Sequence, residues 1–172
     1  MPKTPLKKLN ASEQKAFVAV CGPLFEYSPW IADRTWPLRP FSNLQSLHKA
    51  LVKTMNIATD AEKLKLIEAH PDLVSRWAGQ ARRTQESNSE QSAAGLTQLT
   101  DEEVAAFDRF NRKYRAKFRF PFIICARENK KDAILSAFPL RLKNYRKQEI
   151  ETALAEIAKI AKLRLLDAVS EK

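Results

Sequence analysis

Apolar residues recur at helical spacing along most of the chain. Leu44, Leu47, Leu51, Val52 and Met55 share one face at a 3.6-residue period. So do Val104, Phe107, Tyr114 and Phe118, and later Ile150, Leu154, Ile157, Ala161 and Ala168. Start signals precede these stripes. Asn10 with Glu13, Ser42 with Gln45, Thr59 with Glu62, Ser87 with Glu90 and Thr100 with Glu103 all have the spacing of a capping box. Ser28-Pro29 opens a short helix, since serine caps and proline suits the first turn. The pattern predicts helices over 11–21, from 29, through 44–55, from 60 to His70, over 72–83 with Leu73 and Trp77 on one face, and over 87–95 ending at Gly95. It predicts others from 101, near 131–143 and from about 146 to 168. The run Phe120 to Ala126 is compact and apolar, and periodicity does not separate strand from buried loop there. The fold class is all-α, a multi-helix bundle forming a single domain over 1–172 with short connections.

Composition narrows the function classes. A chain of 172 residues with 44% hydrophobic and 29% charged residues is long enough for a real core. Three glycines are too few for a turn-rich β fold. The net charge of +10 implies attraction to anions: an acidic small molecule, nucleic acid or an anionic surface. No signal-peptide core, membrane span or Ser-Lys-Leu ending is found, so the expected compartment is cytoplasmic with no membrane partner. Cys21 and Cys125 read as reduced core residues. No metal-ligand spacing and no glycine-rich phosphate loop occurs, so neither metal nor cofactor is expected.

Candidate chemistry begins with His70-Pro71-Asp72-Leu73. One of only two histidines stands at a chain break, where imidazole can give or take a proton near neutrality. A helix C-terminus favours its charged form. The plainer alternative is a helix-end cap. His48 lies among Leu44, Leu51 and Val52 and reads as structural. Glu90 and Gln91 sit near a helix start. Either Glu90 completes the Ser87 capping box, or it hydrogen-bonds N–H groups of a substrate. By spacing alone the cap reading is favoured. Arg164 falls about 20° from the stripe of the last helix, taking ~100° per residue. It is either a stem packed over the core with its charge in water, or a clamp for a carboxylate. The basic run Arg109, Arg112, Lys113, Arg115, Lys117 and Arg119 reads as the solvated face of a helix whose aromatics point inward. Its alternative is a nucleic-acid surface.

Five motifs in order resemble one family: FEYSPWIA (25–32), EAHPDLVSRWA (68–78), SNSEQSAAGL (87–96), FRFPFIICAR (118–127) and KIAKLRL (159–165). They are similar to the 2-oxo-4-hydroxy-4-carboxy-5-ureidoimidazoline (OHCU) decarboxylases over nearly the whole chain. The resemblance implies an all-helical, cofactor-free homodimer that removes CO₂ from OHCU and protonates carbon to give (S)-allantoin in urate breakdown. It implies catalytic roles for His70 and Glu90. It places Pro71, Ser87, Glu90, Gln91, Phe122, Ile123, Ile124, Cys125, Ala126 and Arg164 at substrate-binding positions, with no metal. Glu90 and Gln91 are expected to hold the ureido and ring N–H groups. The implied partner is the small anionic substrate, with no nucleic acid. A related ureido or imidazoline acid is the alternative substrate, and a basic nucleic-acid-binding module the alternative function. Two departures stand out. Arg119 replaces the family's glycine in Phe-Gly-Phe-Pro-Phe, and Ser75 replaces a glycine or another small residue. Glycine tolerates positive φ where arginine does so poorly.

Overall fold

The structure, a computed structural model, describes residues 3–74 and 84–172. Among these residues the chain forms nine α-helices and a single pair of two-residue strands. The helices are α1 (Leu6–Asn10), α2 (Gln14–Cys21), α3 (Trp30–Thr35), α4 (Leu44–Asn56), α5 (Asp60–Glu68), α6 (Gln85–Ala93), α7 (Asp101–Phe118), α8 (Lys131–Arg141) and α9 (Arg146–Ala168). The expected all-α class holds. The chain clusters into two compact units, one of Met1–Leu66 with Ala158–Lys172 and the other of Ile67–Ile157.

In the first unit, α3 packs against both α2 and α4. Phe17, Cys21, Phe25, Ile31, Leu47 and Leu51 are fully buried, each large side chain contributing roughly 1.5–3 kcal/mol by leaving water. The hydroxyls of Thr35 and Thr54 meet at 2.9 Å, joining α3 to α4. Strand β1 (Thr4–Pro5) pairs in parallel with β2 (Val169–Ser170). His48 is structural as expected, its Nε2 lying 2.8 Å from the carbonyl of Ala158.

In the second unit α7 packs on α8 around an aromatic cluster. Tyr114, Phe118, Phe122 and Phe138 are buried, with Phe122 stacked on Phe138 at 3.8 Å between centroids. The basic residues of α7 are exposed while Phe107, Tyr114 and Phe118 point inward, which is the solvated-face reading. Glu149 is fully buried beneath this cluster. It accepts from Arg141 at 2.8 Å, from Asn144 at 2.6 Å and, through a very short contact, from the Tyr114 hydroxyl. Burial and that hydrogen bond both push the Tyr114 hydroxyl pKa well above its ordinary value.

Several boundaries differ from the pattern-based expectation. Asn10 does not cap α2. It ends α1, and its side chain bridges both backbone groups of Phe41 at 2.9 Å. At α4 the cap is Asn43, whose side chain accepts from the Ser46 amide at 2.7 Å. Ser87 does not cap α6. Thr84 does, and Ser87 sits inside the first turn with its amide on the Thr84 hydroxyl at 3.2 Å. The capping boxes at Thr59 and Thr100 form as expected. The helix expected over 72–83 does not include its first three residues, because Leu73 and Val74 form a turn with Val74 at φ 56°. Residues 75–83, with Trp77 and Ser75, lie outside the described residues.

Candidate active site

The second unit holds every site residue expected from the sequence except Arg164. Helix α5 ends at Glu68, and the chain makes one more turn in which the His70 amide donates to the Ile67 carbonyl at 3.2 Å. Pro71, which has no N–H to donate to the preceding turn, follows where the helix has ended. His70 is buried, with 7% of its surface exposed. Leu73 and Val74 follow in a turn that neighbouring helices hold. Gln91 of α6 accepts the Val74 amide through its Oε1 at 3.2 Å. That bond brings the His-Pro-Asp-Leu segment and α6 together.

Because Thr84 caps α6, Glu90 is not the capping-box partner of Ser87. The plain explanation for Glu90 is therefore removed. Ser87 and Gln91 are buried and lie one helical turn apart. Helix α6 packs against a 3-10 turn at Ala126–Glu128, the end of the apolar segment. Burial first, then the charge of Glu128, with Glu156 and Glu90 behind it, pushes the Cys125 pKa up to about 11.

The apolar segment is neither helix nor strand. Phe122, Ile123, Cys125 and Ala126 are buried and Ile124 is half-buried. Side chains rather than a ladder satisfy part of its backbone. Arg141 donates to the Ile123 carbonyl at 2.5 Å, and Glu156 accepts the Cys125 amide at 2.8 Å. Asn129 donates to the Cys125 carbonyl at 2.9 Å. A buried polar backbone next to an acid-bearing helix can read the hydrogen-bonding edge of a small heterocycle.

Arg164 belongs to the first unit. It is 4% exposed, and its Nη2 donates to Glu26 Oε1 at 2.9 Å. Its Nη1 reaches the Pro23 carbonyl at 3.4 Å. The guanidinium is thus buried against a carboxylate and does not extend to water. Glu26 is the partner of Arg164 that pattern reading left unassigned. Its signal was present: a lone acid within Leu24-Phe25-Glu26-Tyr27 has reason to be buried only if a cation meets it. Asn111 and Glu156 were also passed over, because a polar residue on a helix carries no periodic signal of its own.

The family model described as OHCU decarboxylase matches residues 10–166. A 2-oxo-4-hydroxy-4-carboxy-5-ureidoimidazoline decarboxylase of Halalkalicoccus jeotgali is 38% identical, covering 96% of this chain and 92% of that protein. One from Haloferax volcanii is 34% identical over the full length of both. Among solved structures, a crystal structure of (S)-allantoin synthase superposes with a TM-score of 0.77 at 27% identity. It covers 98% of this chain, which spans only 54% of that one. A crystal structure of OHCU decarboxylase in the presence of (S)-allantoin gives 0.69 at 25% identity, covering 91% of this chain and 97% of the other.

Proposed function

The chain belongs to the OHCU decarboxylase family, and from that premise we propose that it decarboxylates OHCU to (S)-allantoin in urate breakdown, with His70 and Glu90 carrying the chemistry. The observation that carries the reading is the convergence around α6. Gln91 holds the turn that follows His70, while the same helix packs on the Ala126–Glu128 turn that ends the apolar segment.

OHCU carries a carboxylate and a hydroxyl on one ring carbon. Breaking the bond to CO₂ turns its electron pair into a double bond to the neighbouring ring carbon and moves the C=N pair onto the ring nitrogen, which takes a proton, leaving an enol. That neighbouring carbon then takes a proton while the hydroxyl releases its own to solvent and becomes a carbonyl. His70 delivers that proton to one face, which sets the configuration. Glu90 accepts from ureido or ring N–H groups, and the backbone of Phe122 to Ala126 completes the edge. Gln91 keeps its expected place beside Glu90, with a second lone pair on its oxygen for a substrate N–H. Its oxygen accepts the Val74 amide through one lone pair, and its Nε2 group can donate to a substrate oxygen. Pro71 and Ser87 frame the same residues. Arg164 keeps the substrate-binding role that the resemblance gives it. Holding the departing carboxylate too firmly would stabilise the ground state, so its service is orientation. In this reading the chain is a cytoplasmic homodimer.

Two measurements test the proposal. Freshly generated OHCU decays unaided to racemic product, so the purified protein must speed its loss and yield (S)-allantoin in enantiomeric excess. Racemic product at the spontaneous rate refutes it. Light scattering on the eluting protein should report twice the chain mass, and the mass of one chain would reject the dimer.

A further inference from the structure

Among the described residues, side chains of two other helices hold the turn after His70. Asn111, buried on α7 with 6% exposed, donates its Nδ2 to the Leu73 carbonyl at 2.8 Å. One helical turn further, Arg115 donates its Nε–H to both carboxylate oxygens of Asp72 at 2.9 and 2.8 Å. Gln91 accepts the Val74 amide. Three consecutive residues beyond Pro71 are thus each tied to α6 or α7.

The local sequence does not favour this turn. Val74 stands at φ 56°, a left-handed conformation that a β-branched residue adopts at a penalty of roughly 1–2 kcal/mol. Such a conformation persists only where the surroundings impose it. Asn111 also keeps its Oδ1 buried with no hydrogen-bond partner among the described residues. A buried acceptor left alone destabilises the fold, and an apolar residue of similar volume would avoid that penalty. What the amide supplies at this position is its donor, and that donor goes to the residue three beyond His70.

We propose that Asn111 and Arg115 are positioning residues: from adjacent turns of α7 they lock the His-Pro-Asp-Leu-Val turn and so fix the His70 imidazole for proton delivery. The inference rests on the decarboxylase reading of His70. Asn111 is the principal hold, since it is buried and bonds backbone. Arg115 is the lesser one, because its pair with Asp72 is partly in water, where such pairs contribute little.

The experiment compares Asn111→Leu, Arg115→Gln and Arg115→Lys with wild type and with His70→Asn. Displacing a reacting group by about an ångström can lower turnover by ~100-fold. Asn111→Leu is therefore expected to lower kcat by about 10- to 100-fold with KM within about twofold. Arg115→Gln is expected to lower it by a few fold, and Arg115→Lys to restore most of that loss. A second reading is independent of activity. The chain has two histidines, so the ring signals of His70 and His48 are separable by proton NMR. Asn111→Leu should move and broaden the His70 signal and speed exchange of the Val74 amide. The His48 signal, held on the Ala158 carbonyl, should stay in place. An active wild type together with unchanged kcat and an unmoved His70 signal in Asn111→Leu overturns the proposal. If Asn111→Leu does not fold, Arg115→Gln decides on the same two criteria. An inactive wild type instead strikes the decarboxylase reading, and the NMR and exchange data then judge the positioning alone.

Discussion

Arg119 occupies the place where the family's Phe-Gly-Phe-Pro-Phe motif has glycine, and its backbone adopts the conformation glycine favours. It follows α7 at φ 66° and ψ 22°, with its amide on the Arg115 carbonyl at 2.9 Å. This is the left-handed position that commonly ends a helix. An L-residue pays about 1–2 kcal/mol to stand there. Arg119→Gly removes that strain but gives the unfolded chain more freedom, which returns roughly 0.4–1 kcal/mol. The Arg119 side chain is exposed, so little packing is lost. The net expectation is a gain of about 0–1.6 kcal/mol, centred near 0.8, or a rise of up to roughly 6 °C in Tm for a chain of this size. Thermal melts followed by circular dichroism, with Arg119→Ala as control, decide the matter. Alanine keeps the left-handed penalty and should give no comparable gain. A fall in Tm for Arg119→Gly, or an equal rise for Arg119→Ala, would refute the backbone argument. Turnover should be unchanged in both.

Three further outcomes are expected. Glu149→Ala strands Arg141 and the Tyr114 hydroxyl in the interior, so urea unfolding should show a loss of about 3–5 kcal/mol, and a loss under 1 kcal/mol would contradict the network. Burial pushes the Cys21 thiol up to about 12 and, with nearby acids, Cys125 to about 11, so neither should react with a thiol reagent at pH 8 until the protein unfolds. A thiol that ionises near pH 9 only when unfolded leaves stability untouched below that pH. It then erodes stability by about 1.4 kcal/mol per pH unit between 9 and the folded value, a slope that Cys21→Ala should reduce. Arg164→Lys keeps the charge but loses the planar fork, so apparent affinity for OHCU should weaken more than kcat, and an unchanged KM would confine Arg164 to holding Glu26.

The helical pattern was legible wherever an apolar stripe and a capping residue agreed. Thr59, Thr100 and the long α9 fell where spacing placed them, because local and tertiary preferences coincide there. Asn10 misled because an asparagine side chain serves equally as a cap or as a bridge to a distant backbone, and Phe41 is 31 residues away. At α6 several polar residues compete for the cap, and Thr84 takes it; Ser87 and Glu90 were thereby misread as a capping pair. The turn at Leu73 and Val74 was not legible at all, since valine does not announce positive φ and its holders lie on two other helices. The candidate residues themselves came from motif order. Their partners Asn111 and Glu156 emerge only when the chain is folded, whereas Glu26 left a trace in its apolar setting.

The most direct measurement follows OHCU by circular dichroism as wild type or His70→Asn acts on it. Wild type should produce one enantiomer of allantoin well ahead of spontaneous decay. His70→Asn should fall by orders of magnitude, with its product racemic and its helical spectrum intact. A His70→Asn protein that still forms (S)-allantoin at near-normal speed would contradict proton delivery by this imidazole.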